Sequence, residues 1–157
     1  YKRQVLGEAQ WRWLEKELRE SEAQVHLLVS SIQFVASDHR YEKWANFFES
    51  KNRMFDLLAK DDVPPVTILS GDRHLGEISV ETAALPYQLY DVTSSSLNQP
   101  MGKERKEENS RRVGANFTGT NFGTLEIDWS TAPPTLHFSL RGEDGKAVRS
   151  VEVRQTR

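Results

Sequence analysis

Two side chains that can bind a metal ion lie two residues apart, directly after an apolar run. The run is Val66-Thr67-Ile68-Leu69, and it is followed by Ser70-Gly71-Asp72-Arg73-His74. Because the run is short and rich in β-branched and aliphatic residues, it predicts a buried strand. In an extended or tightly turning segment, Asp72 and His74 can converge on one cation while Arg73 points elsewhere. A carboxylate oxygen and an imidazole nitrogen suit Zn, Mn or Fe better than Mg or Ca alone.

The same residues have a second interpretation. A strand that ends in a polar turn is the ordinary way in which a sheet meets solvent, and an Asp-x-His pair also arises by chance. Gly71 is expected to let the backbone turn sharply where a side chain would obstruct it. The residues alone therefore leave open both a metal site and a simple polar turn.

Four segments, in order, resemble one protein family. Residues 71–74 are similar to the Gly-Asp-x-His motif of the PhoD-like alkaline phosphatases, a branch of the calcineurin-like metallophosphoesterases. Residues 6–14 are similar to the Leu-Gly-x-x-Gln-x-x-Trp-Leu helix start of that family, and residues 44–53 to its Trp-containing segment that ends in an arginine. Residues 90–96 resemble its strand and Thr-Ser-Ser turn. In the wider superfamily the motif is Gly-His-x-His, so Asp72 stands where the first His stands.

This resemblance implies a fold and a chemistry. The fold class is α/β, as part of a layered αββα metallophosphoesterase sandwich that ends in an antiparallel β meander. Asp72 and His74 would be ligands of Fe, Ca, Mn or Zn, and a metal-bound water, rather than a side chain, would be the nucleophile. The substrate would be a phosphomonoester or a phosphodiester. Such enzymes are usually exported, so the resemblance implies an extracytoplasmic location, either periplasmic or secreted.

Several metal motifs of that family are not found in the sequence, namely an Asp-x-His, a Gly-Asp and an Asn-containing motif. The chain therefore resembles only the carboxy-terminal part of such an enzyme, and we expect an amino-terminal polypeptide portion as its partner. The two ligands alone should bind a metal weakly, because catalytic sites generally use three or more protein ligands. The rival hypothesis is a non-catalytic, β-rich structural or interaction module in which the motif is retained as a turn.

The composition excludes several other classes. The chain has 157 residues, enough for one domain, and its 23 acidic and 21 basic residues nearly balance. No global field therefore points to nucleic acid or to a membrane surface. The absence of cysteine excludes disulfides, thiolate metal sites and cysteine nucleophiles. No apolar run approaches the length needed to span a bilayer, and residues 1–5 do not have the pattern of a signal peptide.

Further residues are weaker candidates for contacts with the substrate or with the metal ligands: Gln33, His39, Trp44, Arg53 and Arg73. Gln33 could contact substrate or form hydrogen bonds within a turn. His39 lies in a polar loop and could protonate a leaving group. By the resemblance, Trp44 borders the mouth of the active site. Arg53 could bind phosphate through a bidentate interaction of its guanidinium, or it could form a structural ion pair within a helix.

The remaining patterns predict the elements that position these residues. Three- and four-residue spacing predicts a helix over residues 7–21 with Trp11, Leu14 and Leu18 buried, and a second helix from Trp44 to about residue 60 that packs through residues including Phe48. The predicted strands are 25–32, covered on both faces, 66–69, 75–80 (or a short turn there), 85–93, 121–129, 135–141 and 148–153. Residues 99–115 are so highly charged that we expect a solvated loop. The predicted division is a core of 1–98, a charged loop of 99–116 and terminal strands of 117–157.

Overall fold

The computed structural model describes residues 4–102 and 107–157. Four residues of the predicted charged loop, 103–106, lie outside the described residues. The elements in chain order are α1 (Glu8–Glu20), β1 (Leu27–Ser30), a short 3-10 helix (Trp44–Asn46), α2 (Phe48–Leu58), β2 (Thr67–Ser70), β3 (Gly76–Glu81), β4 (Leu89–Ser94), β5 (Asn121–Asp128), β6 (Thr135–Gly142) and β7 (Ala147–Arg154). No helix in the described ranges has the length and apolar character needed to cross a membrane.

The first sheet contains strands β1 to β4 in the spatial order β1-β2-β4-β3. Strands β1, β2 and β4 are parallel, and β3 runs antiparallel to β4. Because the carboxyl ends of parallel strands meet at the same edge of a sheet, the residues that follow β1, β2 and β4 are brought together there. This edge carries the predicted metal-binding residues.

The second sheet is an antiparallel meander of β5, β6 and β7. The alternating patterns and the Asp144-Gly145 turn predict it, and Gly145 has the positive φ of 76° that such a tight turn requires. One apolar cluster lies between the helices and the first sheet, and a second lies between the two sheets. The layers are therefore helices, sheet and sheet, and the predicted α/β fold class with a terminal meander is confirmed.

The first helix agrees with its prediction. Gly7 is the N-cap, and the buried residues of α1 are Trp11, Leu14 and Leu18. These three side chains lie on one stripe because 3.6 residues make one turn. The stripe packs onto the apolar cluster between the helices and the first sheet.

The second predicted helix is interrupted, which is a correction. A 3-10 turn ends at Asn46, Phe47 has a non-helical backbone, and α2 starts only at Phe48. A 3-10 turn has three residues per turn, so the break changes the helical phase, and Trp44 and Phe48 no longer share a face. Trp44 is buried, whereas Phe48 is 72% exposed.

Strand β1 was expected to be covered on both faces, and this expectation is wrong for Val29. The strand is only four residues long, lies at the edge of its sheet, and within the described ranges pairs only with β2. Its neighbours Leu27 and Leu28 pack against the two apolar clusters, but Val29 is 82% exposed. Nothing in the described part of the chain covers it.

Candidate functional site

The predicted metal-binding residues lie on a turn, residues 71–74, which we call the Gly-Asp-Arg-His turn. Asp72 has φ 63° and His74 has φ 56°, which places both in the left-handed region. That region is uncommon for residues other than glycine. Gly71 has no positive φ, and a Cβ there would lie at ordinary contact distance, 3.6 Å from the carbonyl oxygen of Ser31. The expectation that Gly71 makes the turn is therefore wrong, because the two candidate ligands themselves adopt the unusual backbone.

The side chains of the turn point in different directions. Asp72 is exposed and His74 is partly exposed, whereas Arg73 is only 3% exposed. The Nδ1 atom of His74 lies 2.8 Å from the carbonyl oxygen of Gln99. Because a carbonyl only accepts hydrogen bonds, Nδ1–H is the donor, and in this tautomer of the neutral ring the lone pair is on Nε2. This arrangement, with one ring nitrogen bound to a carbonyl, is typical of histidines that bind metals.

The donors on the turn fit a metal ion but do not complete a site. The carboxylate of Asp72 is exposed and forms no hydrogen bond or ion pair with another described residue. Within residues 4–102 and 107–157, no three His, Asp or Glu side chains form a group that could hold a metal ion. Because a catalytic metal generally needs three or more protein ligands, the described chain offers only part of one site.

Arg73 lies between the two candidate ligands and points into the protein. Its guanidinium forms an ion pair with Glu107 and lies 4.7 Å above the ring of Tyr41. The sequence prediction that Arg73 points away from Asp72 and His74 therefore agrees with the structure.

A chain of buried polar side chains connects the strand ends near the turn. Gln33 is fully buried, and its Nε2 atom donates to Glu77 at 2.6 Å and to Thr93 at 2.8 Å. Thr93 in turn lies 2.8 Å from the hydroxyl of Ser70, and Arg112 donates to Glu77 at 2.6 Å. Gln33 thus joins strands in the interior, and its side chain is not exposed to a substrate.

Asp91 belongs to this network of buried polar side chains and was not among the residues predicted from the sequence. Its carboxylate is fully buried and accepts hydrogen bonds from the amides of Phe34 at 2.8 Å and Val35 at 2.9 Å, and from Ser70 Oγ at 2.5 Å. Burial raises the pKa of Asp91 above its usual value. The sequence feature that could have identified Asp91 is a carboxylate within the largely apolar strand segment 89–93. Its function is to attach the segment after β1 to β2 and β4.

His39 is buried beside the network. Neither of its ring nitrogens has a hydrogen-bond partner among the described residues. Burial, together with the nearby charges of Arg73 and Lys43, lowers the pKa of His39 to about 4. The ring is therefore neutral near pH 7, and the imidazolium form that could act as a general acid is scarce there.

Trp44 and Arg53 contribute to the helical layer. The indole nitrogen of Trp44 donates to Ser30 Oγ at 3.0 Å, and the ring packs edge-on against Trp11 and Phe34. Arg53 forms an ion pair with Glu8 at 2.6 Å. Of the two alternatives for Arg53, the structure contains the ion pair.

The charged segment after β4 is not a freely solvated loop where it is described, which corrects the prediction. Residues 107–117, which we call the edge loop, run along the outer edge of β3. The amide of Val80 donates to the carbonyl of Arg111, and the amide of Val113 donates to that of Ile78, both at 2.8 Å. Every second residue of β3 is polar, and these side chains meet partners on the loop: Glu77 with Arg112, Ser79 with Asn109 and Glu81 with Arg111.

Two apolar surfaces remain uncovered in the described part of the chain. On the β1 side, Val29 and Trp13 line a cavity of about 570 Å³. Between the two sheets, Leu97 lines a cleft of about 490 Å³ together with residues of β4 and β5. Both surfaces include large apolar side chains that are well exposed in the described ranges, namely Trp13, Val29 and Leu97.

Comparison with known proteins gives a family and a structural relative. The sequence profile of the PhoD-like phosphatases matches residues 1–127. A solved structure of PhoD is similar with a TM-score of 0.72 and 17% sequence identity, over 96% of this chain and 32% of that chain. At this identity the likeness shows the fold. None of the curated proteins compared with the chain matches it.

Proposed function

Because the chain belongs to the PhoD-like phosphatase family, we propose that it supplies part of the active site of a metal-dependent phosphoester hydrolase. The observation that carries this proposal is the Gly-Asp-Arg-His turn at the carboxyl end of a parallel strand, where the exposed Asp72 carboxylate and the Nε2 atom of the partly exposed His74 have no hydrogen-bond partner among the described residues. Sites of α/β proteins collect at such strand ends.

In this proposal Asp72 and His74 bind the metal. The Gln99 carbonyl accepts a hydrogen bond from His74 Nδ1–H, which disfavours the tautomer that could not bind a metal through Nε2. A bound metal would act as a Lewis acid on a phosphoryl oxygen and would lower the pKa of a coordinated water. The metal would be Fe, Ca, Mn or Zn. The family resemblance supports this set, and oxygen with nitrogen donors suits the transition metals in it.

The remaining ligands would come from an amino-terminal polypeptide portion of the enzyme. Two observations support this. The chain spans only 32% of the solved PhoD chain to which it is similar. In addition, the outer edge of β1 beside the exposed Val29 has no partner strand among the described residues, so a further strand could pair there and cover that side chain.

For the chain by itself, a non-catalytic structural or interaction module is the alternative. It is favoured by the finding that no three metal-binding side chains come together in the described ranges. The two functions differ in metal binding. If the enzyme hypothesis holds, tight metal binding requires the amino-terminal portion; if the module hypothesis holds, adding that portion does not create a metal site.

The test uses the intact enzyme with p-nitrophenyl phosphate and bis(p-nitrophenyl) phosphate as a monoester and a diester. His74→Ala should lower turnover by more than about 100-fold, because even groups behind metal ligands contribute roughly 10–100-fold. The matched control is His137→Ala, an exposed histidine on β6 that should leave turnover unchanged. Retained turnover with normal metal content in the His74→Ala enzyme would refute the assignment, and the preferred substrate identifies the class of ester.

The proposal includes an extracytoplasmic location, either periplasmic or secreted, on the basis of the family resemblance alone. Fractionation of cells that express the intact enzyme tests this part separately. Activity confined to the cytoplasmic fraction would contradict the location without affecting the proposed chemistry.

A further inference from the structure

The backbone of the Gly-Asp-Arg-His turn needs support from outside the turn. Asp72 and His74 both have left-handed dihedral angles, which cost energy for residues other than glycine. Such residues persist only where surrounding contacts impose the conformation. The contacts that impose this conformation on Asp72 and His74 involve Arg73, the residue between them.

Some contacts are made by the backbone. The amide of Arg73 donates to Ser95 Oγ, and the amide of Met101 donates to the carbonyl of His74, both at 2.9 Å. These bonds attach the turn to the segment that follows β4. They do not determine which way the side chains point.

The side chain of Arg73 makes the inward contact. Its guanidinium is 2% exposed and the paired carboxylate of Glu107 is 12% exposed, so the two charges form a nearly buried ion pair. The Tyr41 ring covers one face of the guanidinium. Because Arg73 is fixed inward, its two neighbours remain on the outer side of the turn.

Glu107 is itself fixed by the edge loop. Arg112 donates from Nη1 to the carbonyl oxygen of Glu107 at 2.9 Å and from Nε to the buried carboxylate of Glu77 at 2.6 Å. Since Glu77 also accepts from Gln33, the pair is linked to the interior of the first sheet. The ion pair therefore has a rigid support on the side away from the turn.

We propose that Arg73 is a positioning residue that acts through its ion pair with Glu107. The pair keeps Asp72 and His74 turned outward in the conformation that binds the metal ion. This inference rests on the proposed function, because it concerns the same two ligands. It assigns to the edge loop, which contributes no ligand, a direct effect on metal affinity.

A simpler role for the ion pair would be to stabilise the edge loop without affecting the turn. The loop offers a matched control for this. Arg111 forms an ion pair with Glu81 of β3 at 2.5 Å, so it joins the same loop to the same sheet without contacting the turn. If the pairs merely attach the loop, the loss of either one should have the same effect.

The experiment compares Glu107→Gln with Arg111→Gln in the intact enzyme after its metal has been removed. Mn²⁺ is titrated by calorimetry, and circular dichroism verifies that each variant is folded. Glu107→Gln should weaken Mn²⁺ binding by roughly 10–100-fold, the usual effect of losing a group behind a ligand. Arg111→Gln should stay within about twofold of the wild type, as expected for a pair remote from the site.

A second measurement needs no metal. Amide hydrogen exchange at Met101 reports the bond to the His74 carbonyl, and Glu107→Gln should accelerate it by about tenfold or more, because local opening follows the loss of support. Unchanged exchange and affinity in a folded Glu107→Gln enzyme would overturn the inference, and so would equal losses in the two variants. If Glu107→Gln does not fold, Glu107→Asp, which keeps the charge but shortens the reach, decides in the same way.

The two proposals can fail separately. A wild-type enzyme that neither binds Mn²⁺ nor hydrolyses phosphoesters refutes the proposed function. The exchange rate at Met101 then still decides whether the Arg73–Glu107 pair positions the turn.

Discussion

Ser70 Oγ donates a hydrogen bond of 2.5 Å to the carboxylate of Asp91 on the neighbouring strand. The same carboxylate accepts hydrogen bonds from the amides of Phe34 and Val35, so one buried side chain connects β2 and β4 with the segment that follows β1. Removing such an acceptor leaves buried donors without partners, which is costly.

Asp91→Ala should therefore destabilise the protein strongly. The expected loss is roughly 3 kcal/mol, because the donors are left unsatisfied and a buried network is broken. Urea unfolding measures it, with Asp56→Ala on the exposed side of α2 as the control. A loss at position 91 no larger than that of the control would contradict the role of Asp91 in the sheet.

The backbone of the Gly-Asp-Arg-His turn predicts an unusual order of stability. At His74, glycine should be more stable than alanine by about 1 kcal/mol, because φ is 56° and only glycine adopts that region freely. Thermal unfolding of the metal-free His74→Gly and His74→Ala proteins provides the comparison.

The same two substitutions at His137 are the control. His137 lies in β6 with a regular strand backbone, where alanine should be more stable than glycine. If alanine were the more stable residue at both positions, the left-handed conformation of His74 would be disproved.

His39 predicts a loss of stability in acid. Its pKa of about 4 in the folded protein lies below the ordinary value of 6.5, chiefly because of burial. Between these two values the unfolded chain binds the extra proton, so stability falls as the pH is lowered from about 6.5 to about 4. In His39→Leu this part of the pH dependence should disappear.

The free energy of unfolding at pH 6.5 and at pH 4.5 measures this difference. His39→Leu should reduce the wild-type change by on the order of 2 kcal/mol, since one pKa unit corresponds to about 1.4 kcal/mol. His137→Leu, an exposed histidine, is the control and should keep the wild-type slope. Equal slopes for the wild type and His39→Leu would mean that the folded protein accommodates the charged ring.

Val29 tests the proposed amino-terminal portion. Val29 is exposed in the described chain, but the amino-terminal portion would cover it in the intact enzyme. Val29→Lys should therefore lower the melting temperature of the intact enzyme by several degrees, because the substitution would bury an unpaired charge. Phe48→Lys is the control, since Phe48 is similarly exposed but lies on α2. If the two variants unfold at the same temperature, Val29 is not covered in the intact enzyme.

The predictable features were those that local pattern decides. The spacing of Trp11, Leu14 and Leu18 predicts α1, and strict alternation with an Asp-Gly turn predicts the meander. The separate direction of Arg73, away from Asp72 and His74, was also predictable, because neighbours in a short turn point to different sides.

Features that depend on distant partners were not predictable. Gln33 and Glu77 are 44 positions apart in the chain, so nothing local indicates that they share a hydrogen bond. The backbone angles of Asp72 and His74 depend on contacts with residues 95 and 101, and pattern alone assigned the turn to Gly71 instead. The exposure of Val29 depends on what lies beside β1, which the sequence of the strand does not reveal.

The first sheet has two different borders in the described part of the chain. The edge loop occupies the backbone groups of β3, while those of β1 remain accessible on one side. Further strands can therefore join this sheet in one direction only. Copies of the chain that met through this sheet would stop at pairs, because open-ended growth of a fibre requires a free border on each side of every copy.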